Sequence, residues 1–329
     1  MGAEAKGRRG LRMREILAIL VLIAVAALLA LPVVRTTRTA VLDRTCVGNL
    51  KQWGSIFAQY RAEHHAMNPM PHGFERFGPA SNAEGCTNID DAFDYAPQVD
   101  SIFPEYSNDT AILACPDTSG VVPAVTAGPV VFKAPRLDTN IFKIAEGTCG
   151  FEGSITRPAT SYTYLGFEIH RANDSDPQIS LEQARKFGLP ASGPATIVAL
   201  LAHLQVSPNK GWEEVQRLRN YGFMATEYVQ RLGYPYTETM KLAVTPLSET
   251  AKSSNLNDLG IDRSAEVLLY PTMAVMWDAI HQDAAGEPVF NHSAPAGCNV
   301  LYMDGHVEFK SFPGDFPVSK GFANMKAVR

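Results

Sequence analysis

The strongest hydrophobic pattern in the chain is an uninterrupted apolar run from Ile16 to Val34. A helix over these residues, at 1.5 Å per residue, spans about 28 Å, close to the roughly 30 Å hydrocarbon core of a bilayer. Basic residues crowd in front of the run: Lys6, Arg8, Arg9, Arg12 and Arg14. Because positive charge favours the cytoplasmic side, the pattern predicts one transmembrane helix over 16–34, with a cytoplasmic N-terminus and an exported C-terminal bulk.

A second periodic pattern follows the apolar run. Large apolar residues recur there at spacings of three and four: Leu42, Cys46, Leu50, Trp53, Phe57 and Tyr60. This spacing places them on one face of an amphipathic helix, which the breakers Asn68 and Pro69 should end near His65. The sequence therefore predicts one long helix over 11–66, kinked at Pro32, whose apolar face packs on a sheet.

The remaining residues, 67–329, predict an extracytoplasmic head of the α+β class. Short apolar runs at 112–116 and 161–165 lie between turn residues and are typical of strands. The segment from about 171 to 262 changes character and is predicted to be a helical insertion. Its helical patterns are Leu181–Phe187, Ala195–Gln205 and Trp212–Leu232.

A hairpin is predicted over 299–310, where Asp304-Gly305 separates two alternating runs. Asp-Gly suits a two-residue type I′ turn, because both residues tolerate positive φ. The register that follows groups the apolar residues on one side of the hairpin and leaves polar residues on the other. The apolar side would hold Val300, Tyr302, Val307 and Phe309, and the polar side His306 and Glu308.

Composition and the absence of catalytic motifs argue against several classes of function. The 329 residues carry a net charge of −5, and no Lys/Arg stripe follows the first 15 residues, so nucleic acid is not an expected partner. The chain has no nucleophile elbow, zinc-protease motif, Walker-type loop or dinucleotide fingerprint. We therefore predict a protein that is not an enzyme and has no cofactor.

Glu15 bears on whether the N-terminal segment is a cleaved signal peptide. A cleaved secretory signal peptide also has a basic start and an apolar core, and that alternative stays open. However, an ionisable group against an apolar run is costly unless something pairs with it. An acidic residue at this position would be unusual in a signal peptide.

The residues around Glu15 resemble the prepilin peptidase site of type IV pilins and type II secretion pseudopilins. In that family the cut follows a Gly, the new N-terminus is hydrophobic and often methylated, and its fifth residue is Glu. Here a cut after Gly10 would make Leu11 the first residue, Glu15 the fifth and Pro32 the twenty-second, where many members have a helix-kinking Pro. The resemblance implies a basic leader over 1–10, a prepilin peptidase as partner, and pairing of Glu15 with the amine of a neighbouring subunit.

Three further stretches are similar to the prepilin-type processing-associated H-X9-DG family. They are Cys46-Val47-Gly48-Asn49-Leu50-Lys51-Gln52 on the helix, Cys115-Pro116-Asp117 with Ser161-Tyr162 in the middle, and Asn291-His292 with Gly297 to Val307 at the end. Eleven residues, rather than nine, separate His292 from Asp304. The family signature residues in this chain are thus Cys46, Asn49, Leu50, Cys115, Pro116, His292, Asp304, Gly305 and His306.

Cysteine and histidine chemistry leaves several possibilities. The five cysteines lie on the side predicted to be exported, where disulfides form. Pairing among Cys86, Cys115 and Cys149 is expected, with Cys46 as a small core residue. His292, Asp304 and His306 could converge on a metal, but a turn role for Asp304 is the stronger interpretation, so no metal is predicted.

These observations predict a structural or assembly subunit of a type IV pilus or a type II secretion-like system. It would be a minor, single-pass protein of the cytoplasmic (inner) membrane that contacts lipid and other pilin-like subunits, with the option of assembly into a surface or periplasmic filament. The alternative is a membrane-anchored surface module that binds glycan or protein and uses the pilin-like segment only as an anchor.

Overall fold

The structure is a computed structural model. It describes residues 13–69, 71–75, 92–97, 101–102, 105–109, 112, 115, 129–132, 142–145, 161–169, 171–186, 192–205, 223–224, 243–246, 272–283, 286–293 and 295–325. The chain divides into two compact units, Met1–Arg44 and Thr45–Arg329. The described part is an α+β protein with antiparallel strand pairing.

The described elements comprise one long helix, three short helices and sixteen strands. The helices are α1 Met13–Glu63, α2 Leu181–Lys186, α3 Ala195–Gln205 and α4 Lys320–Ala323. The first eight strands are β1 Pro71–Glu75, β2 Ala92–Pro97, β3 Pro129–Phe132, β4 Phe142–Ala145, β5 Tyr162–Tyr164, β6 Phe167–Ile169, β7 Gln178–Ile179 and β8 Gly193–Pro194. The others are β9 Phe223–Met224, β10 Ala243–Pro246, β11 Ala274–Asp278, β12 Ile280–Gln282, β13 Pro288–Phe290, β14 His292–Ser293, β15 Ala296–Tyr302 and β16 Val307–Ser311.

Helix α1 begins at Met13 and ends at Glu63, three residues before the predicted end of the helix 11–66. It includes positions 15 and 32. No helix in the described part of the chain is both long enough and apolar enough to cross a membrane. Residues 1–12, which include the predicted leader, Gly10 and Leu11, lie outside the described residues.

The main sheet has five strands, in which β15 pairs with β14, β11 and β16, and β11 also pairs with β5. All of these pairings are antiparallel. The central strand β15 is buried over nearly its whole length. Such two-sided burial means that both faces of the sheet must be covered.

One core of the head joins the predicted helix stripe to the main sheet. Cys46, Leu50, Trp53 and Phe57 on α1 are at most 1% exposed. They form one cluster with residues of the sheet, including Tyr162, Tyr164, Met276 and Leu301. The stripe is therefore a packing face, as its spacing predicts.

The second core lies on the other face of the sheet. Trp277 follows Met276 in β11 and points the opposite way, because side chains alternate along a strand. It belongs to a cluster with Val300 and Tyr302, and its ring centroid is 5.2 Å from that of Phe316. The C-terminal residues thus cover the face that α1 leaves open. The cluster also includes Phe312, Val318, Phe322 and Ala323.

The hairpin between β15 and β16 is present, but its predicted turn and register are wrong. Gly305 N–H bonds the Tyr302 carbonyl at 2.9 Å, and Tyr302 N–H bonds the His306 carbonyl at 2.9 Å. Within the turn only Gly305 has positive φ, at 89°. This is a three-residue loop that ends in a glycine bulge, whereas a type I′ turn needs positive φ at both central residues.

The longer loop moves the pairing by one position. Val300 lies opposite Glu308, and Leu301 lies opposite Val307. A one-residue slip exchanges the two faces of a strand, so Leu301, and not Val300 or Tyr302, shares a face with Val307. The apolar pattern of β15 does not distinguish the predicted register from the observed one, because both faces of this strand are buried and both need apolar side chains.

The predicted helical insertion contains helices and strands. Helix α3 has the predicted bounds, and α2 covers the predicted helix Leu181–Phe187 except for its last residue, which lies outside the described residues. The predicted helix Trp212–Leu232 is wrong at Phe223 and Met224, which form β9. Strand β10 pairs with β9 and with β6. The predicted strand at 112–116 is also wrong at Ile112 and Cys115, neither of which is in a strand.

Two glycines should respond to alanine in opposite directions. A Cβ at Gly305 or at Gly48 would meet no atom within 4 Å, so only the backbone differs. Gly305→Ala should lower the free energy of unfolding by about 1–2 kcal/mol, because φ is +89° there. Gly48→Ala, inside α1, should raise it by up to about 1 kcal/mol. Urea unfolding of both variants checks this, and a stabilised Gly305→Ala protein would contradict the turn geometry.

Candidate functional site

A disulfide between Cys46 and Cys115 joins α1 to a part of the chain that lies between β2 and β3 in sequence. Their Cα atoms are 5.1 Å apart, and 69 positions separate them along the chain. Nearby, the Trp53 indole N–H donates to the Ile112 carbonyl at 3.2 Å and holds this segment against the helix. Closing a loop of this length stabilises the fold by about 4 kcal/mol in the chain-entropy account.

The disulfide corrects the predicted cysteine chemistry. Cys115 bonds Cys46, and not Cys86 or Cys149, and Cys46 is not a free core thiol. Cys86 and Cys149 lie outside the described residues, as does Pro116. Cys298 is free and buried in the second core. Burial, together with the nearby Asp278 charge, raises the pKa of the Cys298 thiol well above its ordinary value.

Asp278, His292 and Asn299 form a buried polar cluster at one end of the main sheet. Asp278 ends β11 and His292 begins β14, and both strands pair with β15, which carries Asn299. Asp278 is 0% and His292 7% exposed. A carboxylate this deep needs partners, since burying an unpaired charge is expensive.

Most of those partners meet one oxygen of Asp278. Asn299 donates its backbone N–H to Oδ2 at 2.7 Å and its side-chain Nδ2–H at 2.9 Å. The Nε2 atom of His292 is also 2.9 Å from Oδ2. The other oxygen, Oδ1, is buried and accepts no hydrogen bond. The carboxylate is thus fixed in orientation: Oδ2 has several hydrogen-bonding partners, and Oδ1 has none.

The disulfide and the polar cluster are neighbours. One ligand-type atom from each of Cys46, Cys115, Asp278 and His292 lies within 4.8 Å of all the others. All four residues are buried. A substrate in bulk solvent therefore cannot reach this cluster, whose chemistry suits an internal ion pair or a small ion.

His306 and Asp304 lie at the other end of β15 and do not join His292. The backbone N–H and the imidazole of His306 both hydrogen-bond Asp304 Oδ1. Partial burial alone would raise the pKa of Asp304, but these bonds outweigh it and hold the pKa below its ordinary value. The His306 ring also stacks on Tyr302, with centroids 4.4 Å apart. Asp304 and His306 thus stabilise the turn, and the metal convergence considered from the sequence does not occur.

Polar side chains on α1 connect the helix to the main sheet and to the turn after β15. Asn49 donates to the Tyr162 hydroxyl at 3.2 Å, and burial raises the pKa of that phenol although the Asn49 bond acts against the rise. At the end of the helix, Arg61 donates to the Met303 carbonyl at 3.3 Å and to Asn68 Oδ1 at 3.0 Å. Leu50 is fully buried.

Sequence reasoning missed Asp278, Asn299 and Arg61. Asp278 directly follows the apolar run that forms β11. An acidic residue that ends a buried strand is a signal for a paired carboxylate, although the partner cannot be read from it. Of the predicted residues, Cys46, Cys115 and His292 meet in one cluster, whereas Asp304, Gly305 and His306 form the distant turn. The structure describes no side chain at Glu15 or Pro32.

Comparisons with known proteins identify no relative: no protein-family model matches the chain, and neither a curated protein nor a solved structure shows significant similarity to it.

Proposed function

We propose that the chain is a pilin-like subunit of a type IV pilus or a type II secretion-like system. Its N-terminal helix would anchor it in the cytoplasmic membrane, and its head would lie outside the cytoplasm. The supporting observation is that Gly10, Glu15 and Pro32 stand in the register of a prepilin motif, on a chain whose helix α1 runs from Met13 to Glu63.

The exposed apolar side chains near the start of α1 support this role. Large aliphatic residues there are 45–67% exposed: Leu17, Ile19, Leu20, Val21, Leu22 and Val25. An apolar surface of this kind requires a cover. Lipid tails would cover it in the membrane, and the same segments of neighbouring subunits would cover it in a filament.

The head supports an extracytoplasmic location. A disulfide such as Cys46–Cys115 persists in oxidising compartments and is rare in the cytosol. Unit Thr45–Arg329 is large for the head of a repeating subunit, which favours a minor or tip position in the assembly.

Mass spectrometry of the mature N-terminus tests this proposal. A chain that begins at a methylated Leu11 would support processing and assembly. A new N-terminus near Ala30 would indicate ordinary secretion and would refute the proposal. An intact Met1 would instead favour the alternative, a surface module anchored by an unprocessed helix.

A further inference from the structure

The four buried residues Cys46, Cys115, Asp278 and His292 have the chemistry of a metal-binding set. Two thiolates, one imidazole and one carboxylate are all zinc ligands, and structural zinc sites take four of them. The four come from α1, the segment at 112–115, β11 and β14. Their ligand atoms nonetheless lie within 4.8 Å of one another.

The Asp278 carboxylate adds an independent observation. Asn299 holds its Oδ2 atom with two N–H groups, and in the oxidised form His292 Nε2 lies 2.9 Å from the same atom, while the buried Oδ1 atom accepts no hydrogen bond. A metal-binding carboxylate commonly has this arrangement, in which second-shell donors fix one oxygen and the other binds the ion. A cation at Oδ1 would satisfy the oxygen of Asp278 that accepts no hydrogen bond.

The spacing suits zinc after a small contraction. With bonds of about 2.3 Å to sulfur and 2.0–2.1 Å to nitrogen and oxygen, ligand atoms of a tetrahedral site are roughly 3.3–3.8 Å apart. The observed limit of 4.8 Å exceeds this by about 1 Å. Two bonded sulfurs, however, cannot both act as thiolate ligands, so a metal and the disulfide exclude each other.

Thiolate ligands also select the metal. Calcium and magnesium prefer all-oxygen sites, whereas Cys and His together favour zinc. Four protein ligands fill a tetrahedral shell and leave no position for water, which is the pattern of a structural site.

We propose that reduced protein binds one Zn²⁺ through Cys46, Cys115, His292 Nε2 and Asp278 Oδ1, and that the disulfide is the oxidised, metal-free form of the same site. A dithiol reductant would supply the two electrons and two protons that convert the disulfide to two thiols, and would itself become a disulfide. Zinc binding then releases the two thiol protons, and neutral His292 and the carboxylate complete the shell. The inference does not depend on the pilin-like role.

Cobalt titration of the detergent-solubilised full chain tests the inference. The protein is reduced with a dithiol, freed of reductant without oxygen, and titrated with Co²⁺. Reduced wild type should show the visible bands of tetrahedral cobalt and a thiolate-to-cobalt charge-transfer band, both saturating at one equivalent. One equivalent of Zn²⁺ should then abolish them, and oxidised protein should show neither.

Variants assign the ligands. Cys115→Ser and His292→Gln should lose the tetrahedral spectrum, and Asp278→Asn should weaken metal binding at least tenfold. Cys298→Ser and the double variant Cys86→Ser/Cys149→Ser serve as controls, and both should keep the spectrum unchanged. A spectrum that persists in Cys115→Ser, or disappears in the double variant, would overturn the assignment.

Fluorescence of the buried Trp53 and Trp277 follows folding in the same samples. If the reduced chain unfolds and zinc restores the folded signal, the site is supported, because metal binding then provides folding free energy. If the reduced chain is folded and binds no metal, or stays unfolded with zinc present, the inference is wrong.

Discussion

Replacing Glu15 with alanine should abolish filament assembly and leave membrane insertion intact. In the proposed role, insertion would depend on the apolar run 16–34, which the substitution does not change. Assembly, in the proposed pilin-like role, depends on a charge pair between Glu15 of one subunit and the free amine of Leu11 in the next. A single variant should therefore lose filament assembly and keep membrane insertion.

The size of the expected effect follows from the place of that pair. Inside a bundle of apolar helices, a carboxylate and an amine attract strongly, and losing one partner leaves the other charge uncompensated. Such a loss costs about 3–5 kcal/mol per buried pair. A filament repeats that cost in every subunit, so even the low end of the range should prevent polymerisation.

Glu15→Gln separates charge from shape, and Lys51→Ala is the matched control. Glu15→Gln should fail to assemble, because the amide keeps the size of the side chain but not its charge. Lys51 is an exposed residue of the same helix, and Lys51→Ala should assemble normally. Membrane fractionation measures insertion, and electron microscopy of surface filaments measures assembly. Normal filaments from Glu15→Ala would refute the pairing.

Replacing His292 with alanine should lower the free energy of unfolding by about 3–5 kcal/mol. The substitution removes the imidazole that lies 2.9 Å from Oδ2 of Asp278, and that carboxylate is fully buried. Asn299 would keep its two hydrogen bonds to the same oxygen, but no cation or ring N–H would remain beside it. An uncompensated carboxylate in the core then destabilises the head.

His306→Ala is the natural control, since both histidines lie in stretches that resemble the same family motif. The His306–Asp304 pair is exposed, at 45% and 38%, and an exposed pair contributes less than about 1 kcal/mol. Adding Asp278→Asn to His292→Ala should recover part of the lost stability, because an amide needs no counter-charge. Urea unfolding followed by the fluorescence of Trp53 and Trp277 measures all three variants. Equal losses in His292→Ala and His306→Ala would contradict the buried pair.

Much of the fold could be predicted from local sequence patterns. The stripe on α1 was predictable because a periodicity of 3.6 residues reports which face is buried, and α3 has its predicted bounds for the same reason. The hairpin was located correctly by Asp304-Gly305, but its register was wrong. Turn length decides register, and the alternation in β15 gave no correction because both faces of that strand are buried.

The candidate site was less predictable because its residues meet only after folding. Cys46 looked like one more apolar position of the helix stripe, and nothing local indicates Cys115 as its partner. His292 was identified by resemblance, whereas Asp278 lies in no motif, and Asn299 was not singled out within the family-like stretch 297–307. Strand β15 brings all three together by pairing with both β11 and β14, and sequence spacing does not report such a pairing.

The disulfide at Cys46 affects how the protein responds to a pulling force. When the two ends of the chain are pulled apart, the force passes through the disulfide between residues 46 and 115. The residues between them therefore do not extend when the protein unfolds. With a sequence separation of 69 between the two cysteines, about 240 Å of extension stays unavailable at roughly 3.5 Å per residue. Oxidised protein should therefore extend less under load than reduced protein, because the disulfide limits the length of chain that can unravel.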